Sequence, residues 1–286
     1  MNIKEFCEEI RESNLSQEEK DNFLYQYNDF QIYQDIIKKT LFEFHRICEE
    51  NHIWYQVAYG SLLGVIRDGG QIPWDYDVDV FVKIEDRERL TQALKEQLNA
   101  NYYFYSPEVD KRCRHTFIRV TPNGYRSEVL HVDVFYLVGL SQNLTYRRLT
   151  KKAICFLSKA RFAKLVKIKD EWYGNPKRLI KLTLGKILAF FLPQSFLTLV
   201  FEKLIHKWPI NKAKILGTAD SFADQKDFSK DIFEETILYP FEENEVRVPR
   251  RYEEVLQTCF GDYTRIFPLK DRMQEVINSY NRLTWK

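Results

Sequence analysis

Residues 60–82 read GSLLGVIRDGGQIPWDYDVDVFV, and the fold is decided at the end of that stretch. Asp77-Val78-Asp79 opens an apolar, β-branched run through Val82. In a strand, residues two apart share a face, which puts Asp77 and Asp79 on one side and Val78, Val80 and Val82 on the other. Two adjacent carboxylates repel each other, and burying them without a counter-charge costs several kcal/mol. A divalent cation, Mg²⁺ or Mn²⁺, is the usual remedy, so the pair predicts a metal site for phosphate chemistry.

Upstream, Ile53 to Tyr59 reads as a strand running into Gly60-Ser61. Ser61 is the expected N-cap of a short helix through Arg67, stopped by Asp68-Gly69-Gly70. A glycine at a strand-to-helix turn lets backbone approach a phosphate, and Arg67 offers a bidentate contact to phosphate oxygens. Downstream, Val129 to Val138 is a further strand, with His131 and Asp133 on one face and valines on the other. If it lies beside the Asp77 strand, Asp77, Asp79 and Asp133 converge. The alternative for Asp133 is an ion pair with an arginine such as Arg119. His131 reads as a hydrogen-bonded structural residue and Trp74 as a corner-packing one, while Asp75 and Lys83 are secondary candidates.

A Gly-Ser turn, Asp-x-Asp in a strand and a later single Asp in a strand form the nucleotidyltransferase-fold pattern. More narrowly, the segment resembles the LicD family, whose motif runs G-T-L-L-G-x-x-R and then G-x-I-P-W-D-D-D-I-D. That family includes bacterial phosphorylcholine transferases, and fukutin-related transferases share the domain. The resemblance is dense from Tyr59 to Phe81 and returns at His131 to Phe135. It returns again at Phe241, Val248-Pro249, Tyr252, Leu256 and Phe260-Gly261-Asp262, and is weak between Thr145 and Ile237. It implies Asp77, Asp79 and Asp133 as metal-binding and catalytic carboxylates, with Gly60, Ser61 and Arg67 cradling phosphates. Where the family has three consecutive acids, this chain has Asp75-Tyr76-Asp77. Strand alternation predicts that Tyr76 faces with Val78, away from the carboxylates.

The remaining sequence sets the frame. Residues 3–52 lack Pro and Gly, and Tyr33, Ile36, Ile37, Leu41, Phe44 and Ile47 form a helical stripe. Glu85 to Asn99 reads as a helix, Tyr102–Tyr105 and Thr116–Val120 as strands, Tyr239–Pro249 as a hairpin, and Arg251–Phe260 as a helix. The fold class expected is α+β: a nucleotidyltransferase-like mixed sheet with flanking helices and a basic helical insertion. The segments are 1–52 helical, 53–140 catalytic core, 141–236 basic and helical, and 237–286 packed back on the core.

Net charge over 286 residues is only +2, but Tyr146 to Lys214 holds 17 Lys and Arg against 3 Asp and Glu, leaving −12 elsewhere. Such a block marks an anionic partner. Leu149–Val166 and Leu179–Val200, the latter broken by Pro193, fit interfacial helices on anionic lipid. A core helix pair with snorkelling lysines fits equally. Five scattered cysteines without C-x-x-C point to reduced thiols in a cytoplasmic protein, with no zinc site. The charged N-terminus shows no secretory h-region, and the protein is expected in the cytoplasm or at the inner membrane face.

The function these features imply is metal-dependent transfer of a phospho-substituent from a nucleoside-diphosphate donor such as CDP-choline. The acceptor is a hydroxyl of a cell-surface glycan precursor, free or lipid-linked. One carboxylate, Asp133 foremost, is expected to accept the hydroxyl proton. A metal-dependent glycosyltransferase would share Asp-x-Asp but not the Gly-Ser turn or the Pro-Trp corner. A non-enzymatic membrane-binding protein would leave the acidic strand unexplained, and nucleic acid is an unlikely partner.

Overall fold

The computed structural model describes residues 1–172, 174–220 and 226–284. The long Pro- and Gly-free start forms two helices, not one. Helix α1 (Ile3–Glu12) and helix α2 (Gln17–Glu50) each begin with a capping box, Asn2 with Glu5 and Ser16 with Glu19. Those caps satisfy the first free amides of each helix, so Ser16 restarts the helix where propensity alone predicts continuity. One face of α2 buries Phe23, Tyr27, Phe30, Gln34, Ile37, Leu41 and Phe44.

The sheet follows. Strand β1 (Tyr55–Val57) leads to a one-turn helix α3 (Tyr59–Leu63) and a π-helical turn (Gly64–Asp68) ended by Gly69 at φ +72°. Strand β2 (Val78–Lys83) is followed by helix α4 (Arg87–Gln97), which buries Leu90 and Leu94, and then by β3 (Tyr102–Tyr105), β4 (Ile118–Pro122) and β5 (Val132–Leu140). The main order is β1-β2-β5-β4-β3. Among the described residues only β2 and β5 pair in parallel; β1–β2, β3–β4 and β4–β5 are antiparallel. Strand β5 is buried along its whole length, which explains its near-continuous apolar sequence.

The basic segment folds as helices α5 (Leu144–Leu165), α6 (Pro176–Phe190) and α7 (Gln194–Ile205). Pro193 caps α7, and α6 and α7 meet at 92°. Among the described residues no single helix is long and apolar enough to cross a membrane, although the bent α6–α7 pair passes that test by length and composition. Strand β6 (Ile215–Thr218) pairs with the second half of β5, and β7 (Phe228–Ser229) extends it. The hairpin β8 (Thr236–Phe241) and β9 (Asn244–Pro249) turns at Glu242. Helix α8 (Tyr252–Phe260) follows, and α9 (Leu269–Leu283) closes the structure against α2. The tie between α9 and the first helices is polar as well as apolar: Arg272 pairs with Glu9, and the Tyr280 hydroxyl donates to Asp29 at 3.0 Å. One hydrophobic core runs from Phe6 to Leu283.

Candidate active site

The parallel pairing of β2 with β5 sets Asp79 in register with Asp133, and the antiparallel pairing of β4 with β5 sets Arg119 opposite Asp133. Three charged residues therefore stand in one row across three strands. Asp77 joins them two residues before Asp79, just ahead of β2. The condition on which convergence depended, adjacency of the two acidic strands, is met.

Hydrogen bonds from several elements hold the acidic stretch in place. The Asp79 N–H donates to Ser61 Oγ at 2.8 Å, and the Asp79 carbonyl accepts from the Ala58 N–H at 2.9 Å. From α2, the Gln34 amide donates to the Asp75 carbonyl at 2.6 Å and to the Ile72 carbonyl at 3.1 Å, and Tyr27 donates to the Pro73 carbonyl at 2.9 Å. Gln71 adds a bond to the Asp75 carbonyl at 3.1 Å. The corner Ile72–Asp77 is thereby clamped, with its carbonyls satisfied by side-chain donors. Trp74 packs at this corner, its ring 5.5 Å from that of Phe6.

Two expectations about the Gly-Ser turn change. Ser61 is not an N-cap: α3 begins at Tyr59, two residues earlier, with Ala58 in the capping position and no side-chain cap. The hydroxyl serves the Asp79 peptide instead. Gly60 is required for a close approach, but by a carboxylate, since a Cβ there would sit 2.8 Å from Asp75 Oδ2. Asp75, a secondary candidate from sequence, thus belongs to the site. Tyr59, which orders this turn, has φ +45°, a strained value for a non-glycine residue.

Arg67 is engaged elsewhere. It forks onto Asp68 at 2.9 and 2.7 Å and stacks over Trp74, and the Met1 amino group binds the same carboxylate at 2.9 Å. No hydrogen bond among the described residues joins Arg67 to Asp77, Asp79 or Asp133. The cation at the carboxylates is Arg119, which donates to Asp133 at 2.7 and 3.3 Å and to the Ser127 carbonyl at 2.9 Å. Asp133 thus pairs with Arg119 and also stands beside Asp79. His131 Nε2 is 3.4 Å from Asp133 Oδ1. Lys83, at the other end of β2, lies over the Trp54 ring.

Tyr76 also departs from expectation. Because β2 starts only at Val78, strand alternation does not reach it. Burial, and then the charge of Asp77, push its hydroxyl upward, while Arg282, which hydrogen-bonds it, and Arg119 pull the other way. It lies on the charged side of the corner, in the field of Asp77.

The electrostatics divide the acids into two kinds. Burial, followed by repulsion from their neighbours, holds Asp77 and Asp79 well above the usual carboxylate range. Asp75 is raised as well, chiefly by burial, and its side chain hydrogen-bonds that of Asp77. A bond between two carboxyl groups needs a shared proton. Asp133 shows the opposite balance: burial raises it, but Arg119 and His131 more than offset this and its pKa is lowered. Asp75, Asp77 and Asp79 keep part of their surface open to solvent.

Among the described residues no three His, Cys, Asp or Glu side chains already stand in metal-ligating geometry. The donor set nevertheless fits a hard divalent cation in type and charge: oxygen only, with acids that burial and mutual repulsion discourage from ionising alone. Completing a ligand set takes side-chain movement, since Asp77 is bonded to Asp75 and Asp133 to Arg119.

A row of buried carboxylates on the parallel pair of a mixed sheet, entered through a Gly-Ser helix start, is the centre of a nucleotidyltransferase-type fold. Residues 52–173 match the LicD/FKTN/FKRP nucleotidyltransferase domain. The lipopolysaccharide cholinephosphotransferase LicD of Haemophilus influenzae is 26% identical over 245 residues, 80% of this chain and 89% of that one. An uncharacterized protein of Rickettsia prowazekii is 30% identical over 76 residues, 27% of this chain and 29% of that one. Over residues 52–173 the chain carries a LicD-type nucleotidyltransferase domain, and it is a transferase.

Several site residues were not visible as such in the sequence. Arg119 was marked only as a competitor for Asp133. Gln34 lay inside the apolar stripe of α2, and a polar residue on such a stripe is the signal that would have found it. Asp220, buried and lining the same cavity as Asp133, carries no motif.

Proposed function

We propose that the protein transfers a phosphocholine-like or sugar-alcohol phosphate group from a nucleoside-diphosphate donor, such as CDP-choline, to a hydroxyl of a cell-surface glycan precursor, with Mg²⁺ or Mn²⁺. The observation that carries this reading is the register of Asp79 with Asp133, which collects acids that lack sufficient counter-charge. Asp77, Asp79 and Asp133 would hold the cation, and Asp75 supports Asp77. When bound, the cation supplies charge neutralisation for the donor pyrophosphate and the departing nucleoside monophosphate.

The protein's own groups do the rest. Ser61 and Gln34 fix the acidic corner before substrate arrives, so orientation is set in advance. Arg119 keeps Asp133 ionised, which makes Asp133 a weak proton acceptor. An acceptor must already be ionised, however, and Asp133 is the acid of this row so held, which leaves it the acceptor for the proton of the attacking hydroxyl. Gly60 keeps Asp75 close to the α3 turn.

Product analysis tests the reading. Incubation with CDP-linked donors, Mg²⁺ and glycan acceptors is expected to leave a phosphodiester on the acceptor and release the nucleoside monophosphate. A glycosidic product formed from nucleotide sugars, or no donor turnover with any divalent cation, would overturn it.

A further inference from the structure

Helix α6 distributes its side chains as few soluble helices do. Asn175 caps it and Pro176 opens it, yet of its 15 residues Ala189 alone is buried. Ile180, Leu184, Ile187, Leu188 and Phe191 recur at the spacing of one helical face. All five are exposed, Leu188 at 75% and Phe191 at 80%. Phe196 and Leu199 extend the apolar surface onto α7. A contiguous apolar patch of this kind marks an interaction surface. Exposed Lys177, Lys181, Lys203 and Lys207 border it, and α6 has no acidic residue. The one acid of α7, Glu202, is neutralised by Arg87 at 2.8 Å.

Beneath α6 lies a cavity of about 600 Å³. Asp133 and Arg119 line it, as do Phe117 and Phe135 of the sheet, and exposed Leu188 places its mouth on the apolar face of α6. Lys159 and Lys181 line it too, and neither has an acidic partner among the described residues. Cations at that position oppose a positively charged occupant and favour a phosphate, while the walls favour a hydrocarbon chain.

We infer that the α6–α7 face docks on an anionic lipid bilayer and that the cavity takes the apolar chain of a phosphate-bearing amphiphile, loaded from the membrane toward Asp133. A basic amphipathic surface binds such bilayers by apolar insertion together with attraction to anionic headgroups. The inference rests on the proposed function only in naming that amphiphile as the transferase acceptor. Neither measurement below needs turnover, so its failure is distinguishable from failure of the transferase reading.

The full chain is expected to sediment with phosphatidylglycerol-rich vesicles, weakly with pure phosphatidylcholine vesicles, and less as salt rises. The double variant Leu188→Glu, Phe191→Glu changes only exposed positions and is expected to lose vesicle affinity roughly tenfold or more. The cavity is probed separately by calorimetry with dodecyl phosphate below its micelle concentration, which is expected to bind saturably. Gly185→Leu fills the cavity from α6, where a Cβ meets only Ala163 at 3.4 Å, and is expected to abolish that binding while leaving vesicle binding unchanged. No sedimentation with phosphatidylglycerol vesicles at low salt would overturn the docking face, as would wild-type binding by the double variant. Absence of saturable dodecyl phosphate binding, or its persistence in Gly185→Leu, would overturn the chain site.

Discussion

Asp79 and Asp133 face each other across the parallel β2–β5 strand pair, yet they differ in proton affinity. Asp133 has Arg119 at 2.7 Å and is held ionised, whereas Asp79 has carboxylates for neighbours and resists ionisation. The asymmetry comes from β4, which delivers a guanidinium to one acid and not to the other.

Removing a charge from this row should stabilise the free protein and abolish its activity. Asp77→Asn relieves repulsion from Asp75 and Asp133, a gain of about 1 kcal/mol or roughly 2–4 °C in Tm for a domain of this size. Turnover should fall by at least roughly a hundredfold. Scanning fluorimetry checks both halves: Mg²⁺ should raise the Tm of the wild type by mass action and leave that of the variant unmoved. A variant that is both less stable and fully active would contradict the arrangement.

Arg119 and Asp133 should depend on each other. Arg119→Met leaves a buried carboxylate without its counter-charge, a loss of about 3–5 kcal/mol. Adding Asp133→Asn should recover part of that stability without restoring activity. Denaturant titration of the two single variants and the double closes the cycle.

Ser61→Ala removes the acceptor for the Asp79 amide and should cost about 1–3 kcal/mol. Ser61→Thr keeps the hydroxyl and should lose less. Gly60→Ala acts on the other side of the corner by pushing against Asp75 Oδ2. Measured with a CDP-linked donor, kcat should fall in both Ser61→Ala and Gly60→Ala, because the acids move while the donor contacts remain.

His115 predicts a pH effect on stability. Burial, then Arg119, Arg114, His131 and Arg161, hold its pKa well below 6.5, and Arg114 Nε donates to its Nε2 at 3.2 Å, which requires a lone pair there. The unfolded chain takes up this proton more readily than the folded one. The contribution is therefore present above about pH 6.5 and is lost as pH falls below it. The Tm difference between wild type and His115→Gln should shrink between pH 7.5 and pH 5.5 by roughly the equivalent of 1 kcal/mol. A difference independent of pH would mean that the imidazole titrates alike in the folded and unfolded chains.

How far the site could be read in advance follows from where each partner sits along the chain. Asp77 and Asp79 are legible because strand periodicity and flanking valines are local. Asp133 is legible for the same reason, though its adjacency to Asp79 is not. Ser61 was placed correctly in space and misread in role, because a serine at a helix start looks like a cap until the bond partner, 18 residues away, is seen. Arg67 was assigned to phosphate on its position in the motif, but its neighbour Asp68 and the Met1 amino group, 67 residues from Asp68, claim that corner. Tyr76 was assigned by extending a strand one turn too early. The basic segment showed its charge and its Pro193 break at once; that α6 leaves its apolar face uncovered had to come from packing.

By itself the sequence determined the strands of the core sheet up to Val138, the acidic pair, the later acid and the charge block, which are expressed over neighbouring residues by strand period and local composition. Tertiary structure alone decided which acid receives an arginine, that Asp75 joins the row, and that the cavity at Asp133 opens beneath an exposed apolar helix. Those outcomes depend on distances between residues tens of positions apart. Burial and Coulomb energy are set by such distances, and no local period encodes them.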